Sequence, residues 1–151
     1  MFHRNTTFFR FIAICLIAIM IIPIQAHAST VEYVEPRASY YLDSYQAYVY
    51  PAGSGEIQVW FSVTADDYMD DLGALWIEIY ESSDNSTWTS KKTYMHSDYA
   101  GLLGEDDFYH SGHVTYQGTA GKYYKAYVCI WAGRNGGGDT RYYWTSSKKA
   151  T

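Results

Sequence analysis

The side chains of this sequence best suited to chemistry are three histidines and two runs of carboxylates. His110-Ser111-Gly112-His113 is an H-x-x-H, with Asp106 and Asp107 just upstream and His96 further back. Imidazole and carboxylate both bind zinc, so His110 and His113 are the weak metal candidates. On a strand, residues three apart face opposite sides, and the pair converges only if Ser111-Gly112 bends. Neither half of a strong zinc signature is present. Asp66-Asp67-Tyr68-Met69-Asp70-Asp71 and Glu105-Asp106-Asp107 offer oxygens to calcium, but lack the D-x-D-x-D-G spacing of a calcium loop and read as solvated loop charge. Nucleophilic catalysis needs a Ser or Cys beside a His oriented by an acid, and no G-x-S-x-G occurs. A glycosidase needs two carboxylates across one cleft. Glu56 and Glu78 both point outward, but from strands expected in different sheets. The chain is therefore expected not to be an enzyme and to need no cofactor.

Aromatic rings are the other chemical resource. The chain carries 17 Tyr and five Trp. All of them lie after residue 28, far more ring than a core of this size needs. Exposed Tyr and Trp often sit where a surface meets something.

The elements that must position these rings read as all-β. Segments of period-two alternation recur between Gly, Asp, Asn and Ser clusters, and no segment shows a capped helical stripe. Residues 31–37 form an exposed leader, and residues 39–50 a Tyr-rich first strand ending at the turn Pro51-Ala52-Gly53-Ser54-Gly55. In residues 56–64, Ile57, Val59, Phe61 and Val63 alternate with polar residues and Trp60. An acidic loop over 66–71 leads to a strand at 74–81, with Leu75, Ile77 and Ile79 inward. Residues 86–96 suit an edge strand through Lys91-Lys92. A loop over 97–107, a short strand at 109–117, a long strand at 122–132 and a last strand at 140–146 follow, and 147–151 trails off. In the long strand Lys125 fixes the faces, because burying an unpaired ammonium is costly. Tyr124, Ala126, Val128, Ile130 and Ala132 face the core, and Tyr127, Cys129 and Trp131 face out.

Seven short strands without a helix suggest an antiparallel two-sheet β-sandwich. Residues 121–132 and Tyr80-Glu81-Ser82-Ser83-Asp84-Asn85-Ser86-Thr87-Trp88 resemble strands of immunoglobulin-like and fibronectin-like domains. That resemblance covers architecture only, since the strand at 56–64 has no cysteine to pair with Cys129. The chain also resembles a group of small secreted bacterial proteins that form a domain family of unknown function. The resemblance rests on Pro36-Arg37-Ala38-Ser39-Tyr40-Tyr41-Leu42, Ser111-Gly112-His113-Val114-Thr115-Tyr116-Gln117-Gly118 and the strand at 122–132, and implies export without implying an activity.

Export is also read from the residues. Arg4 and Arg10 precede the apolar run 11–22, Pro23 breaks it, and Ala26-His27-Ala28 is an A-x-A cleavage site. The run is too short to span a bilayer, so residues 1–28 are expected to be a signal peptide and the chain to lack a stable membrane anchor. Its removal leaves nine basic residues against 16 acidic ones, a net charge of −7, which argues against nucleic acid. Cys129 is then the lone cysteine, with pairing between two chains as its only disulfide option.

The strands at 74–81, 122–132 and 140–146 are expected to be sheet neighbours. Their outward rings would make a platform with Trp76, Tyr80, Tyr123, Tyr127, Trp131 and Arg141 as candidate ligand-binding residues. In the last strand the outward set is Arg141 with Tyr143, or Tyr142 with Trp144. Cover by residues 39–50, or mere cross-strand stabilisation, is the competing reading of the same rings. The functional expectation is a secreted, non-enzymatic binding module for glycan, cell wall or protein. A bacteriocin-like antimicrobial and a small metal-assisted hydrolase are the alternatives.

Overall fold

The computed structural model describes residues 39–151. The signal-peptide and leader readings lie outside them. The described chain is all-β and antiparallel, as expected, with β1 (Leu42–Gly53), β2 (Glu56–Ser82), β3 (Thr89–Met95), β4 (Leu103–Gln117), β5 (Tyr123–Arg134), β6 (Gly137–Trp144) and β7 (Lys148–Lys149).

β2 organises everything else. At 27 residues it is several times the usual strand length, and every other strand pairs with it except β6 and β7, which pair with β5. Its first part carries β1 on one edge and β4 on the other, and its second part carries β5 on one edge and β3 on the other. The order β2-β5-β6 matches the expected neighbours. The sheet curls, because β1 also packs against β5, β6 and β7, which are not its hydrogen-bonding neighbours.

The concave face holds the core. Ile57, Val59, Phe61 and Val63 from the first part of β2 meet Leu72, Ile77 and Ile79 from the second part. Tyr124, Ala126, Val128, Ile130 and Ala132 are all 0% exposed, which confirms the face that Lys125 assigned. Tyr124 is the largest of these fully buried side chains. Its hydroxyl donates to Glu81 Oε2 at 2.5 Å and accepts from the Thr119 amide at 2.8 Å, so its burial leaves no orphan polar atom. Burial and the Glu81 carboxylate push this phenol up to about 12.

Three expected loops are corrected. Residues 66–71 are not a loop but a bend inside β2. There β1 leaves at Ala65 and β5 arrives at Asp71, while pairing with β4 skips from Thr64 to Met69. The acids point to water and Met69, 1% exposed, pins the bend to the core. Polarity suggested a loop, and backbone pairing on both sides of the bend overrides it. Glu105-Asp106-Asp107 likewise belongs to β4, held against residues 69–73 of β2. The tail does not trail off either. Lys148 and Lys149 pair with Tyr124 and Tyr123, Ala150 is buried, and the Gly55 amide donates to the Thr151 carbonyl.

The two ends of the curl are tied by one carboxylate. Asp139 Oδ2 accepts from the Ser39 hydroxyl (2.5 Å) and from the Tyr40 and Tyr41 amides (2.8 and 3.2 Å). These bonds, the Ser39 hydroxyl first, hold Asp139 below the usual carboxylate range.

Candidate functional site

The convex side of β2, β5 and β6 carries the rings. Alternation along β5 sends Lys125, Tyr127, Cys129 and Trp131 outward, and the register sets Tyr127 between Glu78 and Trp144, and Cys129 between Trp76 and Tyr142. Five rings thereby join in one network. Tyr127 stacks on Trp144 (centroids 4.5 Å, 17°) and lies 5.8 Å from Tyr142. Trp76 meets the edge of Tyr127 at 5.3 Å and Tyr142 at 6.1 Å, and Tyr80 meets Trp144 at 5.1 Å. Tyr142 and Trp144 remain 59% and 46% exposed. The outward pair in β6 is therefore Tyr142 with Trp144.

The edges of the network are polar. Lys125 Nζ sits over Trp144 at 4.3 Å and over Trp88 at 4.5 Å, a cation held between two indoles. The Tyr80 hydroxyl donates to Glu78 Oε2 at 2.8 Å and the Ser90 hydroxyl to Glu78 Oε1. The Glu78 bond raises the Tyr80 phenol above its ordinary value.

Cys129 lies under this ring layer at 2% exposure, and burial pushes its thiol up. A disulfide between two chains therefore requires the layer above the thiol to open first.

At its far end the face runs into a cleft of about 600 Å³, lined by Asp71, Leu75, His96, Tyr99, Glu105 and Trp131, among others. The cleft marks a fork. β3 leaves the edge of β2 at Trp76 and β4 joins it at Gly73, so the connecting residues 96–102 stand out from the sheet. The His96 amide donates to the Leu75 carbonyl and the Ala74 amide to the Leu102 carbonyl, which seat both ends of that connection. Gly73 makes the seat possible. Its φ is +148°, and a Cβ there would lie 2.1 Å from the Leu102 oxygen. On the β5 edge, pairing jumps from Ala74 to Trp76, so Leu75 is the extra residue of a bulge. Bulges re-aim side chains beside functional sites. Trp131, in the cleft lining, packs its indole over Gly138, where a Cβ would be 2.3 Å from the ring.

The sequence-predicted residues divide accordingly. Trp76, Tyr80 and Tyr127 are in the ring network, and Trp131 lines the cleft. Tyr123 lies beyond Lys125 with the Lys149 ammonium 5.4 Å above its ring. Arg141 alternates with Tyr142 and sits opposite Ile130, on the same side of β6 as Tyr143. Tyr143 meets Tyr45 of β1 edge-on at 6.1 Å on the core side. Residues 39–50 thus pack away from the ring network. His110 and His113 are not brought together. His113 stacks on Trp60 at 4.2 Å, whereas His110 Nε2 donates to the Gly101 carbonyl at 2.9 Å. Sequence reasoning left Trp88, Tyr142 and Trp144 out of the candidate set, and it missed the cleft.

No protein-family model matches this chain, and no curated protein does. Among solved structures the chain is similar to a family 76 glycoside hydrolase from a bovine Bacteroides thetaiotaomicron strain, with 18% identity and a TM-score of 0.32. The match covers 71% of this chain, which spans only 20% of that enzyme.

Proposed function

We propose that this chain is a secreted, non-enzymatic binding module whose working surface is the convex face of β2, β5 and β6, and that its ligand is a glycan of the cell wall or a comparable surface. The observation that carries the reading is the ring network itself. Cross-strand pairs that only stabilise a sheet need two rings. Here Trp76, Tyr80, Tyr127, Tyr142 and Trp144 form one layer whose outermost members stay in water. From Lys125 to Trp131 the face extends roughly 20 Å at the rise of an antiparallel strand, long enough for several sugar rings in a row. Flat rings stack on the C–H faces of sugars, while Glu78 and Lys125 at the margin are placed to orient hydroxyls.

Secretion rests on the basic, apolar and A-x-A order of residues 1–28. The finer reading of the fold, an immunoglobulin-like two-sheet sandwich, is supported by the bend of β2 at residues 66–70. That bend divides the strand into a part paired with β1 and a part paired with β5.

The test is retention of the purified protein on insoluble cell-wall glycan. Trp144→Ala and Tyr142→Ala are expected to cut affinity about tenfold or more each, the cost of an anchor ring, and to lower the melting temperature by several degrees while the protein stays folded at the assay temperature, since each lost ring pair is worth about 0.5–1.5 kcal/mol. Unaltered retention of both variants overturns the assignment of this face.

A further inference from the structure

We propose that the cleft at the β3/β4 fork is a subsite for a sugar carrying a free, protonated amine, at the end of the glycan track formed by the ring network. The inference rests on the glycan reading above and narrows it to an amino sugar. The cavity carries the argument. It opens on the same outward side of β5 as the platform, with Trp131 two residues on from Cys129 in its lining, and at about 600 Å³ it has room for more than one sugar ring. Two of its lining residues, Trp131 and Tyr99, offer flat apolar surface for the body of a pyranose. Asp71 and Glu105 stand directly opposite each other across β2 and β4. Directly opposed residues share a face with Cβ atoms about 5 Å apart, and like charges in that arrangement repel.

Most other carboxylates of the described fold have an internal use. Asp67 pairs with Arg134, Glu81 with Lys91, Asp139 holds residues 39–41, Asp84 caps its own turn, and Glu78 takes two hydroxyls. Among the described residues, Asp71 and Glu105 have neither an ion pair nor a side-chain hydrogen bond, and of the six carboxylates in that condition, with Asp43, Glu56, Asp66 and Asp106, only these two line the cleft. A compact ammonium entering from the ring side would relieve their repulsion. It would also lie near Trp131 and Tyr99, whose faces favour a cation. An N-acetyl group at the same position brings no charge and leaves the carboxylates opposed. The cleft therefore distinguishes a free amine from an acetylated one, while the platform, which reads only ring faces, does not.

Calorimetric titration with the glucosamine pentamer and the N-acetylglucosamine pentamer, at physiological ionic strength, tests this. The glucosamine pentamer is expected to bind about tenfold more tightly, a difference of about 1.4 kcal/mol. D71N/E105Q should bring that ratio to one without weakening the acetylated pentamer. D43N/E56Q, which removes the same charge from residues of β1 and the start of β2 that do not line the cleft, should leave the ratio intact. A ratio of one in the unaltered protein overturns the subsite. So does a ratio that D71N/E105Q spares, or one that D43N/E56Q lowers equally, since that is general attraction to an acidic protein. Binding of neither pentamer overturns the amino-sugar assignment, whereas the platform stands or falls on retention by cell-wall glycan and its loss in Trp144→Ala.

Discussion

The two parts of β2 follow one rule on their inner side and differ completely on their outer side. Ile57, Val59, Phe61 and Val63 fill the core from the first part, and Ile77 and Ile79 do so from the second. Outside, the first part shows Gln58, Trp60, Ser62 and Thr64. Trp60 is engaged locally: its ring stacks on His113 and its indole N–H donates to Gln58 at 3.0 Å. The second part shows Trp76, Glu78 and Tyr80, and each ring there meets rings from β5 or β6. The first region also has exposed rings, Tyr48, Tyr50 and Tyr109, so exposed aromatic content alone does not separate the two. The strands alongside do. β1 and β4 set Tyr48 and His113 beside Trp60 but Tyr50 and Tyr109 beside Gln58 and Thr64, and among these described outward rings only Trp60 and His113 stack, whereas β5 and β6 supply Tyr127, Tyr142 and Trp144 to one connected network. A binding face is a property of cross-strand rows, and those rows exist only once the register is set.

The largest effect that separates the regions is expected at the fork, which only the second has. Gly73→Val places a side chain against the Leu102 carbonyl in a backbone conformation that β-branched residues avoid. It should cost about 3 kcal/mol or more and disorder residues 96–102, read by denaturant unfolding. Gly53→Ala, at the β1–β2 turn of the first region, has φ +97° but, among the described residues, no atom within 4 Å of the added Cβ. It should cost only about 1–2 kcal/mol of backbone strain. Equal costs would mean that the approach of the 96–102 connection to Gly73 does not hold the fork together.

The next contrast concerns binding. Trp144→Ala and Trp60→Ala both remove an outward indole that touches another ring. Only the first removes a member of the five-ring layer. Retention on cell-wall glycan should fall about tenfold or more for Trp144→Ala and stay within about twofold for Trp60→Ala, since an uninvolved surface change is worth under about 0.5 kcal/mol. Equal losses would erase the functional difference between the two faces.

The inner faces were legible in the sequence because period-two alternation needs no partner: Val59 or Ile77 is buried whichever strand lies beside it. Lys125 fixed the faces of β5 for the same reason. The outward set in β6 stayed open because Arg141-Tyr142-Tyr143-Trp144 has rings on both alternations. Only pairing with Tyr127 and Cys129 decides for Tyr142 and Trp144. Arg141 fell on the wrong side of that choice. The acids at 66–71 and 105–107 read as loops because polarity is a local signal, while the pairing that makes them strand is not. The cleft had no sequence signal at all, since Asp71, Tyr99, Glu105 and Trp131 converge only through the exchange of β3 for β4 along β2.

Cys129 gives a smaller test of the same layering. Its thiol lies beneath Trp76, Tyr127 and Tyr142, so a thiol reagent should label the native protein far more slowly than the unfolded chain. Tyr142→Ala, which opens the layer directly above it, should speed native labelling, and Trp60→Ala should not. The measurement is the labelling half-time at one pH, and identical acceleration by both variants would mean that the thiol is reached by global unfolding instead.

The smallest expected effect lies at the seam between the two regions, where Asp139 at the start of β6 holds Ser39, Tyr40 and Tyr41 at the entrance to β1. The unfolded chain titrates this carboxyl near 3.9, and the folded protein titrates it lower, because the Ser39 hydroxyl and two amides donate to the charged form. The unfolded state therefore binds the proton first as pH falls. The stabilisation is complete above the unfolded value and is lost as pH drops through the folded one. Asp139→Asn keeps an acceptor but not the charge. At pH 7 it should be less stable than the parent by about 1 kcal/mol or less, the difference between a charged and a neutral acceptor. Below pH 4 the two melting temperatures should converge, and what remains of the parent's acid sensitivity, including that from Asp84, should be common to both. Melting curves from pH 7 to pH 2.5 check this, and a gap that stays constant across the range would show that the Asp139 charge does not stabilise the seam.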